Sequence, residues 1–146
     1  MRCLRLTDVH GGRAIVLAMT RPQFSDLAVG IWEKLTIRAA IVAGTRRADR
    51  FGQFGNGALM CFPPTALFGE PSIHIGEDTM IGPHCSITVG MVPGQELFGN
   101  RMLVIGDRCV IGRGSSIAAH LSITIGDDVY FGPNVYVTDH NHTNDD

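Results

Sequence analysis

A chain of 146 residues has the length of one ordinary domain. Twelve basic and fourteen acidic side chains give a net charge of −2, which excludes the strongly positive field of a dedicated nucleic-acid-binding protein. No stretch reads as a transmembrane segment or a signal peptide, so we expect a cytoplasmic protein.

Charge is distributed unevenly along the chain. Residues 1–68 carry nine Lys or Arg against four acids, whereas residues 69–146 carry three against ten. This asymmetry predicts two parts, a helical or irregular amino-terminal segment over 1–68 and a separate domain over 69–146.

The first part contains one stretch of helical periodicity. Its apolar positions are Leu27, Ile31, Leu35, Ala39 and Val42. Ser25 or Thr20 can cap the start, and Gly44 follows the end. We expect an amphipathic helix that packs against the open end of the following domain, because an exposed sheet edge invites pairing. Binding of the helix to a membrane surface is the alternative. Residues 51–68 mix glycine, aromatic residues and proline and predict an irregular first coil or a lead-in.

Three segments of the second part align without gaps over nineteen residues, starting at Ser72, Met102 and Ser122. Each carries an aliphatic-Gly pair, an apolar-Gly pair six residues later and an apolar residue after six more. Three six-residue units make one turn of a triangular coil of short parallel strands, and such coils must stack to bury a core. We expect the aliphatic residues to point inward and the glycines to serve where the chain turns with positive φ or approaches another coil closely. The small residues expected to fill the interior are Thr79, Cys85, Cys109, Ser115, Val129 and Val135.

The spacing of the segments predicts a loop. The first two segments start 30 residues apart and the last two start 20 apart. We assign the extra residues to a loop at about 91–101, which contains proline, glycine and polar residues.

The sixfold pattern resembles the hexapeptide-repeat family, whose members fold as left-handed parallel β-helices and are mostly acyltransferases. The resemblance implies a mainly β protein in which a left-handed parallel β-helix follows the amino-terminal helix. It also implies a homotrimer with the active site between neighbouring copies.

Two histidines occupy the same position in the last two segments. Stacking of the coils should place the α-carbons of His120 and His140 about 5 Å apart. The run 137–142 breaks the sixfold pattern, and a local break of this kind is typical of a functional site.

In the maltose and galactoside acetyltransferase branch of the family, a histidine just after such a coil accepts the proton of the acceptor hydroxyl. Residues 136–140 resemble that segment. The resemblance implies acetyl transfer from acetyl-CoA to a hydroxyl of a sugar or similar small acceptor, with His140 as the general base. Because further coils follow this histidine in that branch, we expect the 146-residue form to be incomplete or to have lost activity.

Four other residues belong to the predicted site. His142 is the second candidate for the base, and Asp139 or Asn141 could orient the ring or the acceptor. We expect His120 to form a wall of the same cleft. His84 is out of register with these histidines, and we assign it a structural role.

Two other functions stay open. A metal-dependent protein of the carbonic anhydrase type would use His120, His140 and His142 as the three ligands that zinc needs. The two same-chain ligands of that family lie two coils apart, whereas the stacked pair here should lie one coil apart, so we expect no metal. The other alternative is a non-catalytic, truncated trimeric scaffold.

Overall fold

The computed structural model describes residues 22–140. The chain divides into two compact units, residues 1–32 and 33–146, and residues 22–32 are the described part of the first unit. Helix α1 spans Pro22–Ala39, and two 3-10 turns span Ala48–Arg50 and Glu70–Ser72. The strands are β1 (Ile41–Val42), β2 (Gln53–Phe54), β3 (Leu59–Met60), β4 (Ala66–Phe68), β5 (Ile73–Ile75), β6 (Met80–Ile81), β7 (Ser86–Val89), β8 (Leu103–Ile105), β9 (Val110–Ile111), β10 (Ser116–Ala119), β11 (Ile123–Ile125), β12 (Tyr130–Phe131) and β13 (Tyr136–Thr138).

The strands form three sheets with orders β1-β3-β6-β9-β12 (sheet 1), β4-β7-β10-β13 (sheet 2) and β2-β5-β8-β11 (sheet 3). Each coil contributes one strand to each sheet. Coil one is 53–68, coil two 73–89, coil three 103–119 and coil four 123–138. All pairings between coils are parallel over the described residues. The prediction of a mainly β protein with parallel sheets and one helix near the amino terminus is confirmed, and the arrangement is consistent with a β-helix of hexapeptide repeats.

Coil one is more regular than the sequence suggests. Phe54 pairs with Ile75 and Met60 with Ile81, so the coils begin at Gln53, before the predicted boundary at residue 69. The sixfold pattern is hidden there for two reasons. Cys61 stands where the next coil has glycine, and the interval from Met60 to the next inward residue of the ladder, Leu67, is seven residues.

The aliphatic residues of the repeats point inward as predicted. Those at most 1% exposed include Ile73, Ile75, Ile81, Ile87, Val89, Leu103, Ile105, Ile111 and Ile117. Their burial removes apolar surface that one coil alone would leave in water, so stacking is the main source of stability.

The repeat glycines of coils two and three allow close approach to the next coil, and none of the repeat glycines has positive φ. A Cβ at Gly112 would lie 2.5 Å from the carbonyl carbon and oxygen of Gly132 in the next coil. Positive φ occurs two residues after each repeat glycine, at Asp78, His84, Arg108, Gly114, Asp128 and Asn134. Of the two roles that the sequence left open for the repeat glycines, the structure therefore shows close approach, because the turns place the left-handed residue two positions later.

The small interior residues join consecutive coils. Four of the six donate from their side chains to the carbonyl oxygen of a repeat glycine one coil on: Thr79 to Gly106 at 2.7 Å, Cys85 to Gly112 at 3.2 Å, Cys109 to Gly126 at 3.0 Å and Ser115 to Gly132 at 3.3 Å. A small polar side chain thus fills the interior and satisfies a buried carbonyl.

Helix α1 ends earlier than its apolar periodicity predicts. Ile41 pairs with Met60 through β1 and is 3% exposed, so the chain leaves the helix to insert Ile41 into the core. Arg47 Nη1 donates to the carbonyl oxygen of Ala39, the last helical residue, at 3.0 Å.

Leu35 is 54% exposed, so its predicted burial against the coils is wrong. Over residues 22–140, no helix is long and apolar enough to cross a membrane.

Candidate active site

The strands of sheet 2 bring two histidines together. Ile117 pairs with Val137 and Ala118 with Thr138, and His120 and His140 follow two residues after the last of these pairs, beyond the ends of β10 and β13. Their rings lie 3.6 Å apart, centroid to centroid, with planes only 3° from parallel. His120 and His140 thus lie close together, as their shared repeat position predicted, and we call these two residues the histidine pair.

Thr138 contacts the His140 ring through a ring nitrogen. Its Oγ1 lies 2.6 Å from Nδ1 of His140, and the backbone N–H of His140 donates to the same oxygen at 3.4 Å. The imidazole side chain is 29% exposed. Sequence reasoning assigned no role to Thr138. The signal that could have found it is the spacing, since residues i and i+2 of a strand lie on the same side.

Asp139 contacts the backbone of the coil below. Its Oδ1 accepts from the N–H of His120 at 2.8 Å, and its Oδ2 accepts from Leu121 at 2.7 Å and from Ser122 at 2.6 Å. Burial alone would raise the pKa of Asp139, but these backbone donors outweigh burial and hold the pKa below its ordinary value. Its Oδ1 is 3.9 Å from Nδ1 of His140, beyond hydrogen-bond distance.

The loop between coils two and three lies beneath the histidine pair. Residues 90–102 contain no helix or strand. Val89 of coil two pairs with Ala119 of coil three. The residues that follow these two are Gly90 and His120, so Gly90 lies below His120 in the stack. A side chain there would meet Leu97 Cδ2 at 2.9 Å and Gln95 Oε1 at 3.1 Å. Gln95 and Leu97 therefore fill the space that a coil-two side chain would occupy.

Exposed apolar side chains adjoin the histidine pair. Leu121 directly follows His120 and is 72% exposed, and Met91, one residue after Gly90, is 68% exposed. The site thus combines two imidazoles and the Asp139 carboxylate with exposed apolar side chains.

The other predicted residues lie elsewhere or outside the described part. His84 is at a different corner, between β6 and β7, in the left-handed conformation with φ 61°. The structural role of His84 stays a prediction. Asn141 and His142 lie outside the described residues.

The zinc hypothesis depends on three imidazoles. Residues 22–140 hold no group of three or more His, Cys, Asp or Glu side chains that could bind a metal, and the third histidine of that hypothesis, His142, lies outside them. The rings of the histidine pair are parallel, so their in-plane lone pairs run side by side, whereas two ligands of one zinc ion must converge. This geometry does not favour joint ligation of one zinc ion by the histidine pair.

A separate apolar cavity of about 310 Å³ lies within the second unit and is lined by Thr36, Ile37, Ala40, Leu59, Cys61, Phe62 and Pro83. Burial raises the pKa of the Cys61 thiol, which disfavours the thiolate a nucleophile needs. This cavity holds neither an imidazole nor a carboxylate, and we do not assign the chemistry to it.

One known family model matches the two coils that contain the histidine pair. Residues 102–139 match the family model of the hexapeptide repeat of succinyl-transferase. The match covers coil three and coil four, including His120 and Asp139, and it supports the hexapeptide-repeat acyltransferase family expected from the sequence. It does not single out the maltose and galactoside acetyltransferase branch. No curated protein and no solved structure gives a significant match.

Proposed function

We propose that this protein transfers an acetyl group from acetyl-CoA to a hydroxyl of a sugar or similar small acceptor, with His140 as the general base. The observation that carries the proposal is the histidine pair, in which His140 is partly buried and held through Nδ1 by Thr138. The match to an acyltransferase repeat over the same coils supports the reaction class.

Imidazole suits this reaction because it accepts a proton at neutral pH and returns it afterwards. In the proposed step, Nε2 of His140 takes the proton of the acceptor hydroxyl while the acceptor oxygen forms a bond to the acyl carbon. The carbon–sulfur bond breaks, and the departing sulfur receives the proton from His140. The products are the O-acetylated acceptor and free CoA.

Acetyl-CoA, when bound, supplies the activated thioester. The apolar border formed by Met91 and Leu121 suits the uncharged pantetheine arm of such a donor. We assign the choice of acceptor to the loop 90–102, because Gln95 and Leu97 of this loop fill the space beneath the histidine pair.

We further propose that the protein is a homotrimer in the cytoplasm. The outer surface of sheet 1 supports self-association because every outward position of its ladder is apolar: Val42, Leu59, Met80, Val110 and Tyr130. The outward positions of sheet 3 include Gln53, His74 and Thr124 instead. The cysteines at 61, 85 and 109 are free thiols, as is usual in a reducing compartment.

The proposed reaction is tested by release of free CoA from acetyl-CoA with a panel of sugar hydroxyl acceptors, using the longest form of the chain that its reading frame encodes. His140→Asn should lower kcat about 10²- to 10⁴-fold. The matched control is His84→Asn, which removes an exposed imidazole at another corner and keeps a residue that tolerates positive φ. Equal loss in both variants, or no transfer by the wild type to any acceptor, would overturn the proposal.

The homotrimer is tested by sedimentation equilibrium. Met80→Lys should dissociate the assembly, whereas Thr124→Lys, an equally outward substitution on sheet 3, should leave it intact. A monomeric wild type would contradict self-association, and a Met80→Lys trimer would remove sheet 1 from the interface.

A further inference from the structure

Asp139 and Thr138 are adjacent in sequence, but they contact different parts of the site. The two oxygens of Asp139 accept three backbone N–H groups, those of His120, Leu121 and Ser122. These three residues form the corner at which coil three ends and coil four begins. The carboxylate therefore ties the last strand of coil four to the corner of the coil beneath it.

This arrangement leaves Asp139 poorly placed to share a proton with the imidazole. Its nearer oxygen is 3.9 Å from Nδ1 of His140 and already accepts from the N–H of His120 at 2.8 Å. A carboxylate–imidazole dyad would need a hydrogen bond of about 2.7–2.9 Å. The structure thus separates Asp139 from the role of orienting the ring directly.

Thr138 makes the contact that Asp139 does not. Its Oγ1 is 2.6 Å from Nδ1, and the backbone N–H of His140 also donates to this oxygen. A hydroxyl oxygen has two acceptor lone pairs, so it can accept from the backbone N–H and from Nδ1–H together. In that arrangement the proton resides on Nδ1 and the basic lone pair on Nε2. The opposite arrangement, in which the hydroxyl donates to Nδ1, puts the ring proton on Nε2. A general base that acts through Nε2 requires the first arrangement.

We propose that two positioning residues divide the support of His140. Thr138 fixes the imidazole as the Nδ1–H tautomer, and Asp139 clamps coil four onto coil three so that His140 stays stacked on His120. The assignment rests on the proposed function for its catalytic meaning, but the tautomer and the clamp are properties of the unliganded protein. They can therefore be measured without any acyl donor or acceptor.

The test is ¹⁵N NMR of the histidine side chains, because the two ring nitrogens report directly which one carries the proton. The wild type at a pH where His140 is neutral should show the Nδ1–H tautomer. Thr138→Val, which keeps the shape and removes the hydroxyl, should shift His140 towards the Nε2–H tautomer, and Thr138→Ser should restore the wild-type signal. Asp139→Asn should leave the tautomer unchanged and should speed amide hydrogen exchange at His120, Leu121 and Ser122.

Each outcome decides the assignment. An Nε2–H tautomer in the wild type, an unchanged tautomer in Thr138→Val, or a tautomer that shifts with Asp139→Asn would overturn it. If the tautomer behaves as expected while the wild type transfers no acyl group, the proposed function fails and the positioning roles stand. If transfer is seen and the tautomer follows Asp139, the positioning roles fail and the function stands.

Discussion

Coil three and coil four carry the same sixfold pattern and differ in their surroundings. Ile105 and Ile111 of coil three are 1% and 0% exposed, whereas their ladder partner Ile125 in coil four is 8% exposed and Phe131 is only partly buried. Coil three lies between coils two and four. Over residues 22–140, coil four is covered on one side alone. The pattern thus specifies the shape of a coil, and the position in the stack decides how much each side chain contributes to stability.

The small interior residues show the same difference. Cys109 and Ser115 of coil three donate to glycine carbonyls of coil four, whereas coil four has Val129 and Val135 at these positions. Valine fills volume but offers no donor. The bonds between coils therefore run from the small residues of one coil to the glycines of the next.

The largest difference between the two coils should come from a charge in the interior. Ile111→Asp places an unpaired carboxylate in a fully buried site and should destabilise the protein by several kcal/mol or prevent folding. Phe131→Asp, its ladder partner in coil four, should cost much less because the carboxylate can reach water. Thermal melts of the two variants measure the difference, and equal melting temperatures would contradict the inferred stacking.

A methyl group on a repeat glycine gives a finer comparison. Gly112→Ala would place its Cβ 2.5 Å from the Gly132 carbonyl group and should cost about 1–3 kcal/mol or more. Gly132→Ala has no neighbouring atom within 4 Å and should change stability by less than about 0.5 kcal/mol. Urea denaturation compares the two, and a destabilised Gly132→Ala would show that a further chain segment covers coil four.

The clamp between the coils should depend on pH. The pKa of Asp139 is lowered in the folded protein, so its carboxylate stabilises the fold above the unfolded pKa of about 3.9, and this stability is lost as pH falls through the lower folded pKa. Asp139→Asn should cost about 1 kcal/mol at neutral pH, and the difference should shrink progressively as pH falls below about 4. Urea denaturation of both proteins at several pH values measures this, and a difference that persists unchanged at pH 3 would contradict the role of the charge.

An exposed ion pair between the same two coils provides a matched control. Asp128 of coil four accepts from Arg108 of coil three at 2.7 and 2.8 Å, and both side chains are more than half exposed. Any effect of Asp128→Asn should disappear at high salt, because salt screens an exposed ion pair. The effect of Asp139→Asn should remain, because this carboxylate is mostly buried and accepts from uncharged backbone N–H groups.

The regular part of this molecule is predictable because its pattern is periodic. The alignment of the three segments places Ile75, Ile105 and Ile125 in one ladder, and the structure confirms that register. The repeat pattern did not predict coil one, because Cys61 stands in place of a glycine and the interval from Met60 to Leu67 has seven residues. The end of α1 was misplaced because Val42 continues a helical spacing, although its strand pairs with β3.

Part of the site was predictable and part was not. The shared repeat position of His120 and His140 predicted their proximity, because equivalent residues of stacked coils lie one strand spacing apart. The contacts of Asp139 could not be predicted from the sequence, because they depend on the path of a turn between two coils. The space beneath His120 depends in the same way on how the loop folds back, which no periodicity specifies.

The stacking of His140 on His120 is the feature from which the proposed base and its clamp follow. It is measured most directly by a nuclear Overhauser effect between the ring protons of the two histidines in the folded wild-type chain, with signals assigned by His120→Asn and His140→Asn. Rings 3.6 Å apart and nearly parallel predict a strong cross-peak between them. Two assigned histidine rings without that cross-peak would contradict the stacked pair.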